Sequence, residues 1–323
     1  MDAKITKDRL SRMLSYDWIK IIALALGAIF FWNLIFTVTA TRILPSQQFV
    51  VINYLGNNPL DDLSFLSDVA KEDVFSQEVL EISQVDAPFA GSSGGILLEA
   101  RLATNEGDAI FVPPTEDPNA AYEQDGETHY ETYREKLLRL YGYILYDLDP
   151  NSETGYFKSM ENYLNKYYGG DWANGTLDEE TVEKDFRDRV KKTKDKRFKK
   201  KDEIEQGIRD EIVRIQKYRD GLVEFYGYLA QGLVKFEKET VYNLVDGSLL
   251  YDGMYYLNLC PDVNTMGRLK EAVSYSVTLE DGTEKSTAEN MCVAFIRFDD
   301  EGTHAEYENL LFVNYLISRY KTV

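Results

Sequence analysis

From Ile21 to Thr41 the chain carries no charged residue, and most of that run is Ile, Leu, Ala, Phe and Val. About 20 such residues at 1.5 Å rise cover a hydrocarbon core of roughly 30 Å. A helix is the one open structure that satisfies its own backbone polar groups in that environment. The sequence therefore predicts a transmembrane helix over residues 19–41, behind a tail of residues 1–18. Trp18 falls where an interfacial ring belongs. Asn33 is the one strongly polar side chain inside the run, either tolerated near its end or bonded to a neighbouring helix.

The flanking charges set a direction. Lys4, Lys7, Arg9, Arg12 and Lys20 precede or open the run, whereas Arg42 stands nearly alone after it. Positive residues stay on the cytoplasmic side, so the expectation is a single-pass protein of the cell membrane with its N terminus in the cytoplasm and its C-terminal domain extracellular. A cleaved secretory signal competes with this reading, because Val38-Thr39-Ala40 offers small residues to a peptidase. Signal cores are only about 7–15 residues long, which favours a retained anchor. No Cys follows the run to take a lipid.

The exterior part must then carry the function. The net charge is −19, and the first twenty residues hold five basic and three acidic side chains, leaving about −21 for the rest. Such a balance disfavours nucleic acid as a partner. Cys260 and Cys292 are the only two cysteines; they form one disulfide or stay as two buried thiols, and cannot make a scaffold.

Periodicity divides the exterior chain into a linker over 42–48, a first α/β part over 49–120, a helical block over 121–240 and a C-terminal α/β part over 241–323. Phe49–Leu55, Val79–Val85 and Ala109–Val112 read as strands, with helices predicted over Asp61–Lys71 and Ile96–Thr104. In the block, Tyr130, Tyr133, Leu137, Tyr141 and Ile144 predict a helix over Thr128–Tyr146. Met160–Tyr167 predicts a second, and Val182, Phe186 and Val190 a third, with Thr176 and Glu179 at capping-box spacing. Ile208 to Phe236 keeps a 4–3 repeat that predicts a long helix or helical hairpin. Gly221, Gly227 and Gly232 argue against one unbroken rod, at roughly 1 kcal/mol each. Beyond Asp246-Gly247, strands are expected at Met254–Leu259, Val273–Thr278 and Met291–Phe298, with a hairpin turn at Asp281-Gly282 and a final helix over Glu308–Tyr320.

Chemistry-bearing motifs are sparse. His129 and His304 are the only histidines and have no metal-type spacing. Gly91-Ser92-Ser93-Gly94 is no nucleophile elbow, although its backbone amides suit an anion or a ligand hydroxyl. Asp147, Asp149, Asn151 and Glu153 imitate a calcium loop, but Ser152 replaces its glycine and Lys158 its final glutamate. Asp262-Val263-Asn264 departs further, through Met266. No enzyme, metal or cofactor is expected on this basis. Lys191 to Lys201 holds eight basic residues against Asp195; it is a solvated helix face, or a contact for anionic lipid, wall polymer or an acidic partner. Trp172 with Tyr167 and Tyr168 has the ring faces that suit a sugar.

At Phe49–Tyr54, Val79–Val85 and Leu97–Val112, where a helix ends in Gly107-Asp108 and leads into Ala109-Ile110, the chain resembles the start of extracellular solute-binding proteins of ABC importers. That resemblance implies a periplasmic-binding-protein-like α/β exterior domain, in degenerate form and with a helical insertion. It further implies two lobes around a ligand cleft, a small-molecule ligand, often a carbohydrate, and an ABC permease as partner. The strand-end loops Asn53–Asn57, Gly91–Gly95 and Val112–Thr115 then line the cleft, with Asn53, Tyr54, Ser92, Ser93 and Trp172 as ligand-binding candidates. The retained helix, the short length and the helical centre depart from that family. Ser15-Tyr16-Asp17-Trp18 onward also resembles uncharacterised single-pass proteins of Gram-positive bacteria, which implies no function. The alternative is a structural or interaction protein whose helical block contacts a membrane or wall partner.

Overall fold

The computed structural model describes residues 7–39, 43, 47–54, 57, 64–86, 98–102, 106–124, 127–297 and 304–322. The chain divides into two units, Met1–Arg42 and Ile43–Val323.

The first unit holds one helix, α1 (Lys7–Thr39). Its stretch Trp18–Phe36 is long and apolar enough to cross a bilayer and is wholly exposed. At 1.5 Å per residue those 19 residues span about 28 Å, the thickness of the hydrocarbon core. This is what a single-pass anchor requires.

The second unit is built on a six-stranded mixed sheet, ordered β2-β1-β3-β10-β7-β6. Its strands are β1 (Gln48–Asn53), β2 (Glu81–Asp86), β3 (Ala109–Val112), β6 (Lys235–Tyr242), β7 (Leu249–Asn258) and β10 (Cys292–Phe295). β1 runs parallel to both β2 and β3. From β3 onward the pairing is antiparallel, through β10 and β7 to β6. The strands expected before the helical block therefore meet those expected at Met254–Leu259 and Met291–Phe298 in one sheet, whereas the one expected at Val273–Thr278 lies outside it.

Side chains alternate across this sheet with period two. Phe49, Val51, Phe111, Val293, Phe295 and Leu257 point to one core, and Val50, Ile52, Ile110, Val112, Ala294 and Tyr256 to the other. Both faces are covered, which is why β1, β3 and β10 read as continuous apolar runs. The first face takes α2 (Ser64–Lys71), α4 (Tyr156–Tyr167), α6 (Lys201–Ala230) and α7 (Glu308–Tyr320). The second takes α3 (Tyr133–Tyr141) and the helical residues 98–102. α5 (Glu179–Thr193) packs on α6 and α4. α7 is buried nearly all round, as an apolar helix of a core must be; its Phe312 ring lies 5.2 Å from Phe49 and 6.1 Å from Phe111.

Two small hairpins stand outside the large sheet: β4 (Glu116–Gln124) with β5 (Glu127–Thr132), and β8 (Tyr275–Thr278) with β9 (Glu284–Thr287). The first corrects the helix predicted over Thr128–Tyr146. Thr132 ends β5 and caps α3 in a capping box with Glu135, so Tyr130 belongs to a strand and only Tyr133–Tyr141 is α-helical. The capping box predicted at Thr176 also shifts: Asp178 caps α5 by accepting from the Thr181 amide.

The 4–3 repeat is carried by one helix of 30 residues as far as Leu229, unbroken at Gly221 and Gly227. The helix ends at Ala230, Gly232 adopts a positive φ of 73° just past it, and Phe236 belongs to β6. Gly221 sits at a close contact with α7. A Cβ there would lie 2.7 Å from Leu311 Cδ2, and Asn314 Nδ2 donates to the Gly221 carbonyl at 2.7 Å. Helix propensity is given up for a close helix–helix contact. Gly221→Val is expected to force Leu311 aside and destabilise the unit by about 1–3 kcal/mol. The urea midpoint would fall at unchanged denaturant slope, and an unchanged midpoint would contradict this packing.

Candidate functional site

Of the residues predicted to bind a ligand, the described ones, Asn53, Tyr54 and Trp172, are not brought to one face. Asn53 and Tyr54 are neighbours at the end of β1, and alternation sends them to opposite faces. Asn53 is buried, and its Nδ2 donates to Asp86 Oδ1 at 2.8 Å. Tyr54 is buried in the second core, and its backbone N–H donates to the Phe111 carbonyl at 2.9 Å. Burial raises its phenol far above the ordinary range. Trp172 is half-buried against Tyr226, with ring centroids 6.4 Å apart, while Tyr167 and Tyr168 are core residues. Tyr167 and Tyr168 fill the interior, and Trp172 packs partly buried against it. Ser92 and Ser93, with the Gly91–Gly95 loop, lie outside the described residues.

The oxygens that imitate calcium loops are engaged in turns. Asp147 accepts from the Asp149 amide, Asp149 from the Asn151 amide and Asp262 from the Asn264 amide. Cys260 and Cys292 are separate free thiols, both buried. Burial pushes them up to about 11 and about 12 respectively, although Arg134 opposes the shift at Cys292.

Titratable groups do converge beneath the basic run. Arg189 donates to Glu78 at 3.2 Å and to Glu211 at 2.8 Å, and Arg197 donates to Glu78 at 2.7 Å and to Asp195 at 2.7 Å. Arg214, 1% exposed, pairs with Glu211 at 2.5 Å. Glu308 accepts from the Ser76 hydroxyl and amide and from the Tyr218 hydroxyl. Burial pushes the Glu78 carboxyl up, but the guanidiniums of Arg214, Arg189 and Arg197 outweigh it and hold the group below its ordinary value. For Glu308 burial wins, and its carboxyl is raised. The cluster ties α5 and α6 to the segment before β2. Beside it lies a cavity of about 180 Å³ lined by Tyr163, Lys166, Asp185, Arg189, Glu211 and His304. Drug-sized ligands need about 300–1,000 Å³.

Arg197, the one arginine of the basic run, thus faces inward, as does Arg189 just before the run. Lys191, Lys192, Lys194, Lys196, Lys199, Lys200 and Lys201 all face solvent. Only Lys200 and Lys201 form ion pairs among the described residues, with Glu203 and Glu205. A larger cavity, about 450 Å³, lies between the small β4–β5 hairpin and β6, lined by Tyr122, Glu131, Glu135, Val241, Tyr242 and Leu244.

Sequence reasoning missed one exposed feature, the tip of the β6–β7 hairpin. Val245 is 94% exposed there, and Tyr242, Leu244, Leu249 and Leu250 are exposed with it. Its signal was legible: a good hairpin turn, Asp246-Gly247, flanked by apolar residues on both sides instead of polar ones.

Comparison of the chain with protein-family models, with curated proteins and with solved structures finds no match.

Proposed function

We propose that this chain is a membrane-anchored interaction protein, with its N terminus in the cytoplasm and its helical block engaging a membrane or wall partner outside. One contrast carries the reading. The residues nominated for a small ligand, Asn53, Tyr54 and Trp172, are absorbed by internal packing, whereas the lysines of the block face solvent. The buried arginine–glutamate cluster supports it by fixing α5 and α6 as a rigid surface. Direction rests on the positive-inside charge bias. Photo-crosslinking residues placed at the exposed Val213 and Val223 of α6 test it in intact cells. Adducts of defined mass are expected from exterior material; an absence of adducts at both positions would sink the reading, and protease resistance of the domain in intact cells would reverse its direction.

A second reading is favoured by the 450 Å³ cavity, which lies in the size range of small-molecule sites. Here the chain is a solute-binding-like component of an ABC-type, carbohydrate-directed uptake system, working beside a permease. A thermal-shift screen of the full chain against sugars, peptides and amino acids tests it. Stabilisation by one class that is lost in Tyr242→Ala is expected, and no shift with any class counts against it.

A further inference from the structure

We propose that the second unit stands on the bilayer surface through two footings at one edge of its sheet: the lysine ridge of residues 191–201 on anionic lipid headgroups, and the apolar β6–β7 hairpin tip in the interfacial layer. This rests on the anchored reading above and names the surface the domain engages.

The edge is set by topology. The chain enters the second unit at the start of β1, where the Gln47 carbonyl accepts from the Leu80 amide at 2.7 Å. Leu80 lies two residues past Glu78, and Glu78 is held by Arg189 and Arg197. The lysine ridge is therefore fixed at the β2 corner of the entry edge. β3 is parallel to β1, β10 is antiparallel to β3, and β7 is antiparallel to β10. β7 consequently starts, and β6 ends, at that same edge, which puts the hairpin at the other corner. Five strand spacings of about 4.8 Å separate the corners, roughly 24 Å.

The hairpin also overhangs the sheet. Val51 is level with Ala109, and Ala109 with Phe295. Continuing the β10–β7 register puts Tyr255 beside Phe295. Leu249 lies six residues back from Tyr255 along β7, whereas Gln48 lies only three back from Val51. At about 3.4 Å per residue, the tip reaches roughly 10 Å past the start of β1. Two further exposed apolar residues occupy the same edge. One is Leu80 before β2, and the other is Tyr143, two residues from the Leu145–Ile296 bridge.

Lipid is the occupant that the chain itself specifies. Eight residues, 40–47, separate α1 from β1, and covalent geometry caps their reach at roughly 30 Å. A tether of that length keeps the entry edge at a high effective concentration of bilayer surface. Tyr, Leu and Val are residues of interfacial insertion, and clustered lysines attract anionic headgroups. The remainder of this acidic domain is repelled by the same headgroups, so a single orientation is favoured. Asp246, bonded to the Ser248 amide and hydroxyl at the tip, limits insertion to the headgroup layer.

The test uses the full chain in vesicles of equal phosphatidylcholine and phosphatidylglycerol. Both native thiols are buried, so Val245→Cys takes a polarity-sensitive fluorophore selectively. Val263→Cys, exposed beyond the opposite end of β7, is the control. The label at 245 is expected to shift to the blue and to be quenched several-fold more than the label at 263 by lipids bearing a shallow nitroxide. Quenching is expected to weaken in pure phosphatidylcholine and in the Lys191→Gln, Lys192→Gln, Lys194→Gln, Lys199→Gln variant. An unquenched label at 245, or equal quenching at both positions, overturns the proposal. So does a blue shift without nitroxide quenching, which would identify a second copy on the hairpin. Pelleting of the vesicles after an alkaline wash separates the two levels: release of the chain defeats the anchored reading itself, while a retained chain with a water-exposed tip defeats the footing alone.

Discussion

Arg214→Met is expected to lower the thermal midpoint of the second unit by about 10 °C. Arg214 is fully buried in the first core, stacked near the Tyr218 ring and paired with Glu211. Methionine fills a similar volume but leaves Glu211 with Arg189 alone and removes one of the three cations that hold Glu78 ionised. Breaking a buried pair from one side costs about 3–5 kcal/mol, because the remaining charge stays desolvated with a partner removed. In domains of this size each kcal/mol moves the midpoint by about 2–4 °C. The double variant Arg214→Met, Glu211→Leu recovers part of the loss, since Arg189 keeps Glu78 and no carboxylate is stranded. Scanning calorimetry of both variants decides the matter. A double variant less stable than the single one would show that the cluster is worth more than apolar packing of the same volume.

The sequence made legible those features whose cause is local or periodic. The uncharged run around α1, the continuous apolar strands β1 and β3, and the Leu310–Ile317 face of α7 each carry their reason within a few residues. Legibility stopped where the deciding partner is remote. Arg189 and Arg197 look like their lysine neighbours until Glu78 is placed beside them, 111 and 119 residues away. Gly221 reads as a helix breaker until Leu311 and Asn314 close on it. Tyr130 has helical spacing to Tyr133 and Leu137 by coincidence, and only the Thr132 cap separates the strand from the helix. For the described residues of the candidate site the same kind of reason applies. Asn53 and Tyr54 were placed together at the strand-end loop, but pairing with β2 and β3 holds Asn53 as the last residue of β1, and alternation turns the two side chains apart.

Stability is expected to fall as pH rises from about 4 to about 7, and Asp108 is the main cause. Its carboxyl accepts from the Val50 amide at 2.7 Å at the junction into β3. Burial pushes it up from 3.8 to about 7 against the opposing Val50 hydrogen bond, and the charge of Glu308 acts in the same direction as burial. The sign follows from proton binding. Below pH 4 both folded and unfolded chains hold this proton. Between about 4 and 7 the unfolded chain releases it while the folded chain keeps it, so each unit of pH favours unfolding. A shift of about three units corresponds to roughly 4 kcal/mol, fully lost above pH 7. Glu308, also raised by burial, adds to the same slope. Glu78 works oppositely: held down by its arginines, it costs stability only when the pH falls through the acid range below its ordinary value. Asp108→Asn keeps an acceptor for the Val50 amide and has no proton to lose. Urea titrations of the full chain in detergent, read by tyrosine near-ultraviolet dichroism at pH 4.5 and pH 8, are expected to show the difference between the two pH values shrinking by roughly 4 kcal/mol in the variant. An identical pH difference in both proteins would mean that the Asp108 carboxyl is ionised in the folded chain throughout, and that burial at the start of β3 does not govern it.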